Sequence, residues 1–239
     1  MPQTRVVAAL IAFNEAGKIG SALDRFRPGY VTEAIVVDDG STDSTTREVE
    51  SRGITLLRQE RRQGVGAAIR RAIRYAIDSG FDVLVIMAGN DKDRPAEIFR
   101  LIDPIKSGQA VLVQGSRYLP GGNYGNMPFY RRLSTQFVHP LLFSTFARRR
   151  MTDTTNGYRA LRLEVLNDKR INLDQDWLDK YELEPYLLYT LIRLGYGVRE
   201  VPVTKIYPMK QLGYTKMKPI TGWWSILRPI LLLGFGLRK

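Results

Sequence analysis

Val36-Val37-Asp38-Asp39-Gly40-Ser41 carries an apolar β run straight into a turn with two acids, and the helix-like segment Ser44–Arg52 follows at once. The same unit recurs through the first half of the chain. Strand-like runs at Val6–Phe13, Ala34–Asp38, Thr55–Arg58, Val83–Met87 and Ala110–Ser116 alternate with helix-like segments at Ala16–Phe26, Ser44–Arg52, Gly66–Ser79 and Pro95–Lys106. This alternation predicts an α/β fold, a mainly parallel sheet with helices on both faces, complete by residue 116. Pro95 suits the first helical turn, where a missing N–H costs nothing. Ligands of open α/β sheets bind beyond the carboxyl ends of the strands. The loops at Asn14–Glu15, Asp38–Asp43, Gly89–Arg94 and Arg117–Gly125 are therefore expected on one rim.

Past Arg117 the chain turns rich in Gly, Asn, Tyr and Pro as far as Pro128, and Phe129–Arg150 then reads as a helix with basic residues at both ends. A polar loop at Thr152–Gly157, a helix at Glu184–Leu194, a strand at Gly197–Thr204 and a terminal helix at Pro219–Leu237, broken near Pro229, complete the reading.

With 239 residues, 44% hydrophobic and 25% charged, the chain has the composition of a folded domain rather than a disordered or repetitive one. It has no cysteine, which excludes disulfides, thiolate zinc sites and a cysteine nucleophile, and it has one histidine, His139. A reducing cytoplasm fits that composition. The net charge of +12 draws the protein toward phosphates, whether of nucleic acid, nucleotide or anionic lipid. Val6–Phe13 is too short and too soon interrupted for a signal peptide, and no apolar run reaches the roughly 20 residues that span a bilayer. Ile226–Leu237 contains Arg228 and Pro229, a pattern suited to lying on a membrane rather than crossing it.

Four places carry chemistry. Asp38 and Asp39 leave a strand with Ser41 and Thr42 behind them; a capped turn explains them, and so does Asp39 accepting hydrogen bonds from a base or ribose. In Gly89-Asn90-Asp91-Lys92-Asp93-Arg94, Asp91 and Asp93 stand two residues apart, a spacing that lets both reach one hard cation such as Mg²⁺ or Mn²⁺; a solvated acid–base turn is the alternative. Gly64-Val65-Gly66 lacks the third glycine of a dinucleotide loop, so Gly66 signals close backbone approach, either to a substrate or within a tight helix start. Arg117 and Arg131 sit where planar guanidinium forks would meet phosphate. His139, before Pro140 in an apolar setting, reads as a packed or surface residue rather than a catalytic one.

Taken in order, Ala12-Phe13-Asn14-Glu15, Val37-Asp38-Asp39-Gly40-Ser41-Thr42-Asp43, the acidic loop before Pro95-Ala96-Glu97, Gly115-Ser116-Arg117-Tyr118, Asp153-Thr154-Thr155-Asn156-Gly157-Tyr158-Arg159 and Gly213-Tyr214-Thr215-Lys216 resemble family-2 glycosyltransferases, in particular the dolichol-phosphate and polyprenyl-phosphate branch. The resemblance implies a GT-A fold, a nucleotide-diphosphate sugar donor linked through GDP or UDP, a divalent Mg²⁺ or Mn²⁺ ion and inversion at the anomeric carbon. It implies nucleotide contacts at Ala12, Phe13, Glu15, Asp38, Asp39 and Gly66, and metal ligands at Asp91 and Asp93. With Arg117, these two acids form the catalytic set. Donor or acceptor phosphate contacts fall at Arg117, Arg131, Asn156, Arg159 and Lys216. The sequence departs from the pattern at Gly89, where the family's first metal-binding Asp belongs, and at Ile11-Ala12, where Pro-Thr is usual.

The expectation is one domain over residues 1–239, with a donor half at 1–116, an acceptor half at 117–218 and an interfacial helix at 219–239. The resemblance implies a cytoplasmic hexosyltransferase, peripheral at the inner face of the cell membrane, that acts on a polyprenyl phosphate; the oligomeric state stays open. An ionised lipid phosphate attacks without a strong base. A soluble hydroxyl acceptor is the alternative, and would call on Asp153, Glu182 or Glu184 as base. A nucleic-acid binding protein explains the charge but leaves the acidic loops without a task.

Overall fold

In the computed structural model, residues 3–207 and 219–238 are described. β1 (Val6–Ala12) is apolar throughout and buried except at Ile11. A strand covered on both faces shows such a continuous apolar run instead of alternation. It pairs in parallel with β2 (Glu33–Asp38) on one side and β4 (Val83–Ala88) on the other, while β3 (Thr55–Arg58) extends the sheet beside β2.

The second half of the sheet corrects the expectation that it is finished by residue 116. β5 (Leu112–Ser116) does not pair with β4. β6 (Arg159–Arg162) lies between them, antiparallel to both, and β7 (Val198–Pro202) runs parallel to β5 at the edge, giving the seven-stranded order β3-β2-β1-β4-β6-β5-β7. Arg159-Ala160-Leu161-Arg162 has a charge at each end and no apolar run, so its strand character is set by what surrounds it.

Successive β1 residues feed two cores, as a period of two requires. Val7 and Ala9 join a cluster with Ala68, Ile69, Ala72, Ile73 and Ala76 of α3 (Val65–Asp78), whereas Ala8 and Leu10 join Ile98, Leu101, Ile102 and Ile105 of α4 (Ile98–Lys106). Both helices present apolar residues at intervals of three and four. At about 1.5–3 kcal/mol for each fully buried Val, Leu or Ile, these two clusters dominate the stability of the sheet.

Some helices differ from the sequence reading. α1 (Ile19–Leu23) is shorter than Ala16–Phe26 because the Glu15 carbonyl accepts the Lys18 and Ile19 N–H groups across a turn with Gly17 at φ 74°. α2 (Thr45–Glu50) is shorter than the expected Ser44–Arg52, and Pro95–Glu97 forms a 3₁₀ turn ahead of α4. The long helix expected over Phe129–Arg150 is α5 (Phe129–Leu133), a π-helical turn at Ser134–Val138 and α6 (His139–Ala147), stopped by Arg148 at φ 55°. After α7 (Leu183–Arg193), α8 (Pro219–Gly234) continues through Pro229 without the expected break, and its Ile230 and Leu233 enter the α3-side core.

Register levels the strand ends. Ala12 pairs with Asp38 and Ile11 with Ala88, so the loops after β1, β2 and β4 emerge side by side. Strand order reverses between β1 and β4, which makes the space beside the loops leaving these strands the expected ligand position in such a sheet.

Candidate active site at the β1–β4 crevice

The loops after β1 and β2 are laced together. The Asn14 N–H donates to Ser41 Oγ at 2.8 Å, the Glu15 N–H to Thr45 Oγ1 at 2.8 Å, and the Thr42 N–H to Asn14 Oδ1 at 2.8 Å. Asp38 is fully buried and accepts the Ser41 N–H and hydroxyl, which makes it a turn-builder closed off from any nucleotide. Ala12 is buried as well and offers its carbonyl to the Asp39 N–H. Asp39 Oδ1 accepts the Gln63 N–H at 2.7 Å, and the Gly64 N–H lies 3.0 Å from both carboxylate oxygens. Its less engaged Oδ2 retains acceptor capacity. The Phe13 ring faces the Arg62 guanidinium at 4.2 Å, and Glu15 Oε2 receives Lys18 Nζ at 3.1 Å.

The loop after β4 sends its acids in different directions. Asp91, at φ 57°, is held by Arg25 through Nε–Oδ1 at 2.7 Å and Nη2–Oδ2 at 3.1 Å, a partly exposed pair. Asp93 is buried, with Oδ1 2.5 Å from Lys205 Nζ and Oδ2 accepting the Ala88 N–H at 3.0 Å. The expected shared ion between Asp91 and Asp93 does not match this arrangement, because both Asp93 oxygens serve the fold. A carboxylate at position 89 would be crowded: a Cβ there meets Ile19 Cδ1 at 2.9 Å and Ala12 Cβ at 3.1 Å. Among the described residues, no three acidic or histidine side chains gather as a metal site. Of the loop's two acids Asp91 is the partly exposed one, and it could serve a Mg²⁺-like ion that arrives with its own phosphate ligands only by exchanging its Arg25 partner.

Between the two acids, Lys92 is buried, with 7% of its surface exposed and its ammonium 4.6 Å from the centre of the Tyr207 ring. Burial, then the charges of Lys205 and Arg131, push it down to about 7. Arg131 of α5 faces the same ring at 5.5 Å. The 203–207 segment forms the wall, through the Asp93–Lys205 bridge and the Ile206 N–H bonded to the Lys92 carbonyl at 3.0 Å. Lys92, Lys205 and Tyr207 escaped the sequence reading. Lys92 stood in the acidic loop as apparent solvated charge, and nothing local marks the other two.

Other expected contacts belong to the interior. Arg117, 2% exposed, grips Asp153 with Nε–Oδ2 at 2.6 Å and Nη2–Oδ1 at 2.8 Å, bonds Thr155 Oγ1 at 2.7 Å, and reaches the Tyr207 hydroxyl at 3.3 Å. Burial opposes its charge, yet Asp153 holds it firmly protonated. Its fork is therefore occupied by protein, correcting its expected use on a phosphate. Asn156 is buried, donating to the Gly115 carbonyl at 3.0 Å and accepting the Tyr158 N–H at 3.2 Å. Arg159 donates to the carbonyls of Asn156 and Glu184 and pairs with the Glu184 carboxylate at 3.1 Å. Both are buried and tie the 156–159 segment to Gly115 and Glu184. Gly66 lies against backbone, where a Cβ would come within 1.9 Å of the Leu178 carbonyl oxygen, so protein packing and not a nucleotide accounts for it. Lys216 falls outside the described residues. His139 is packed as expected, Nδ1 to Thr154 Oγ1 at 2.6 Å and Nε2 to the Ile226 carbonyl at 2.9 Å.

The family model for glycosyl transferase family 2 matches residues 8–168. The chain is 31% identical over 219 residues to an undecaprenyl-phosphate mannosyltransferase of Micrococcus luteus, covering 89% of this chain and 87% of that protein. It is 33% identical over 210 residues to a dolichol-phosphate mannosyltransferase of Pyrococcus furiosus, covering 83% of this chain and 54% of the relative. Glucosyl-3-phosphoglycerate synthase of Mycobacterium tuberculosis, solved with Mn²⁺, UDP and phosphoglyceric acid, superposes with a TM-score of 0.70 at 21% identity over 99% of this chain and 80% of that one. That likeness establishes the GT-A fold. With the family model spanning most of the parallel sheet and relatives matching along nearly the full length, the chain belongs to glycosyl transferase family 2.

Proposed function

We propose that the protein transfers a hexose, with inversion, from a nucleotide-diphosphate sugar to a polyprenyl phosphate at a membrane surface. One observation carries the choice of acceptor: the three acids that the sequence offers as a base for a hydroxyl each lie against an arginine, and the one histidine is packed in the interior. Asp153 is clamped by Arg117, Glu184 is paired with Arg159, Glu182 Oε1 lies 3.3 Å from Arg228, and His139 is buried between Thr154 and α8. A phosphate monoester is already ionised near neutral pH and attacks the anomeric carbon without a base. The names of the Micrococcus and Pyrococcus relatives support the same acceptor class.

The departing nucleoside diphosphate needs compensation for its charge, and Lys92 and Arg131, which share the Tyr207 ring beside the Asp93–Lys205 pair, are the cations nearest to supply it. Phe13, Glu15 and the Asp39 Oδ2 border the place for the nucleoside, and Lys216 remains a proposed phosphate contact. A divalent ion, when bound with the donor through Asp91, would add Lewis-acid stabilisation of the pyrophosphate. The membrane contact is supported by Phe129, Leu133, Phe137 and Leu141, spaced four apart and between 44% and 78% exposed, with Arg131 and Arg132 beside them. Trp224 of α8 is exposed as well. Among the described residues, no helix is long and apolar enough to cross a membrane.

The test offers GDP-, UDP- and dTDP-hexoses to the full chain, with polyprenyl phosphate in vesicles or with soluble sugars. Label passing into the lipid extract is the expected result. Label passing to soluble sugars alone would establish the hydroxyl-acceptor alternative.

A further inference from the structure

We propose that Arg25 is a positioning residue that holds the place of a cation at Asp91, so that a divalent ion binds this loop only by exchange with the guanidinium, at an affinity that Arg25 sets. The inference rests on the reading of Asp91 as the ion's carboxylate and goes beyond it. Three observations converge. Arg25 follows α1 and reaches Asp91 across 66 residues of sequence, Nε to Oδ1 at 2.7 Å and Nη2 to Oδ2 at 3.1 Å. Both carboxylate oxygens are thus taken by one planar fork, the most specific way in which arginine binds a carboxylate. A hard ion needs at least one of those oxygens. The neighbouring Asp24 is engaged by Arg52, and Asp91 is the one polar partner of Arg25 among the described residues.

The second observation is the loop itself. Gly89 is packed against Ile19 and Ala12, and Asp93 is fixed by Lys205 and the Ala88 N–H. Between these two anchors Asp91 turns at φ 57°, in the left-handed region that few residues other than Gly, Asn and Asp enter, and its carboxylate meets Arg25 there. The third observation is exposure. The Arg25 and Asp91 side chains are 45% and 21% exposed, so water reaches the pair and parting it costs little. Parting Asp93 from Lys205 would instead strand a buried ammonium. Of the two acids after β4, Asp91 is therefore the one that can change partner. The guanidinium neutralises the carboxylate that an ion would use, and the two cations compete for it.

The experiment measures Mn²⁺ bound to the full-length protein by electron paramagnetic resonance of the free ion, with Mn²⁺ alone and with GDP or UDP added. Arg25→Gln should bind Mn²⁺ about threefold or more tightly than the parent. Arg25→Lys keeps the charge without the fork and should fall between the two. Asp91→Asn should bind the ion more weakly than the parent, and combining it with Arg25→Gln should abolish the gain of the single change. An Arg25→Gln protein that binds Mn²⁺ no more tightly than the parent overturns the inference, and so does a double variant that keeps the gain, since the guanidinium would then act at a distance and not through Asp91. Weaker binding in Asp91→Asn leaves the ion reading intact in either case. Mn²⁺ binding that Asp91→Asn does not change overturns that reading and the inference together.

Discussion

Arg117 and Asp153 form a two-pronged ion pair deep in the protein, with the two side chains 1% and 0% exposed. Asp153 is itself held by Glu200, whose carboxylate accepts the Thr152 and Asp153 N–H groups at 2.8 Å each. The pair therefore ties the end of β5 to the 152–155 loop and to β7. Its position beside the crevice, with Arg117 touching the Tyr207 hydroxyl, makes it the frame of the site's wall.

Removing one partner strands a buried charge, so Arg117→Ala or Asp153→Ala should each lower stability by about 3–5 kcal/mol in urea denaturation. Arg117→Met combined with Asp153→Leu should lose clearly less than the two single changes together. A single variant within about 1 kcal/mol of the parent would contradict this placement.

The two acids after β4 should behave oppositely. Asp93→Asn strips a buried ammonium of its partner and should reduce stability by about 3 kcal/mol. Asp91→Asn disturbs a half-exposed pair with Arg25 and should change it by less than about 1 kcal/mol. In a coupled transferase assay, Asp91→Asn should reduce the stimulation by Mn²⁺ while leaving the melting curve nearly unchanged. Equal destabilisation by both would show that Asp91 is as structural as Asp93.

Gly66→Ala should destabilise by about 1–3 kcal/mol or more, since its Cβ collides with a backbone carbonyl that has no rotamer to change. Differential scanning calorimetry without nucleotide would read the loss directly. A nucleotide-contact role would instead leave the unliganded melting temperature unchanged.

Burial pushes His139 down to about 4, against the pull of the Ile226 carbonyl and the Asp153 charge and with help from Arg117. In the unfolded chain the imidazole titrates near 6.5. Between these values the unfolded state holds a proton that the native state refuses. The stabilisation is complete above about pH 6.5 and is lost as pH falls toward 4, on the order of 3 kcal/mol. Urea midpoints at pH 7.5, 5.5 and 4.5 should drop more steeply for the parent than for His139→Gln. Parallel pH profiles would show that His139 is not responsible.

The parallel half of the sheet was legible because β1, β2 and β4 are continuous apolar runs ending in polar turns, a local signal. β6 was not, since Arg159 becomes a strand residue only when the Asn156 carbonyl and Glu184 receive its guanidinium. The rim loops were found for the same local reason. Their side-chain assignments were less secure: Asp93 finds Lys205 at a separation of 112 residues, and no spacing rule near Asp93 foretells it. Arg117, Asn156 and Arg159 looked like ligand-binding polar residues, and their burial against one another is visible only in three dimensions.

The position of β6 also dictates when the protein can be completed during translation. Both neighbours of β5 lie downstream of it, so a nascent chain released only to residue 116 carries a fifth strand with nothing to bond. The outer edge of β4 stays open until Arg159–Arg162 emerges. An exposed apolar edge of that kind invites pairing with other chains. Ribosomes stalled between residues 116 and 162 should consequently yield nascent chains that engage chaperones, and the interval closes once the antiparallel strand slots in.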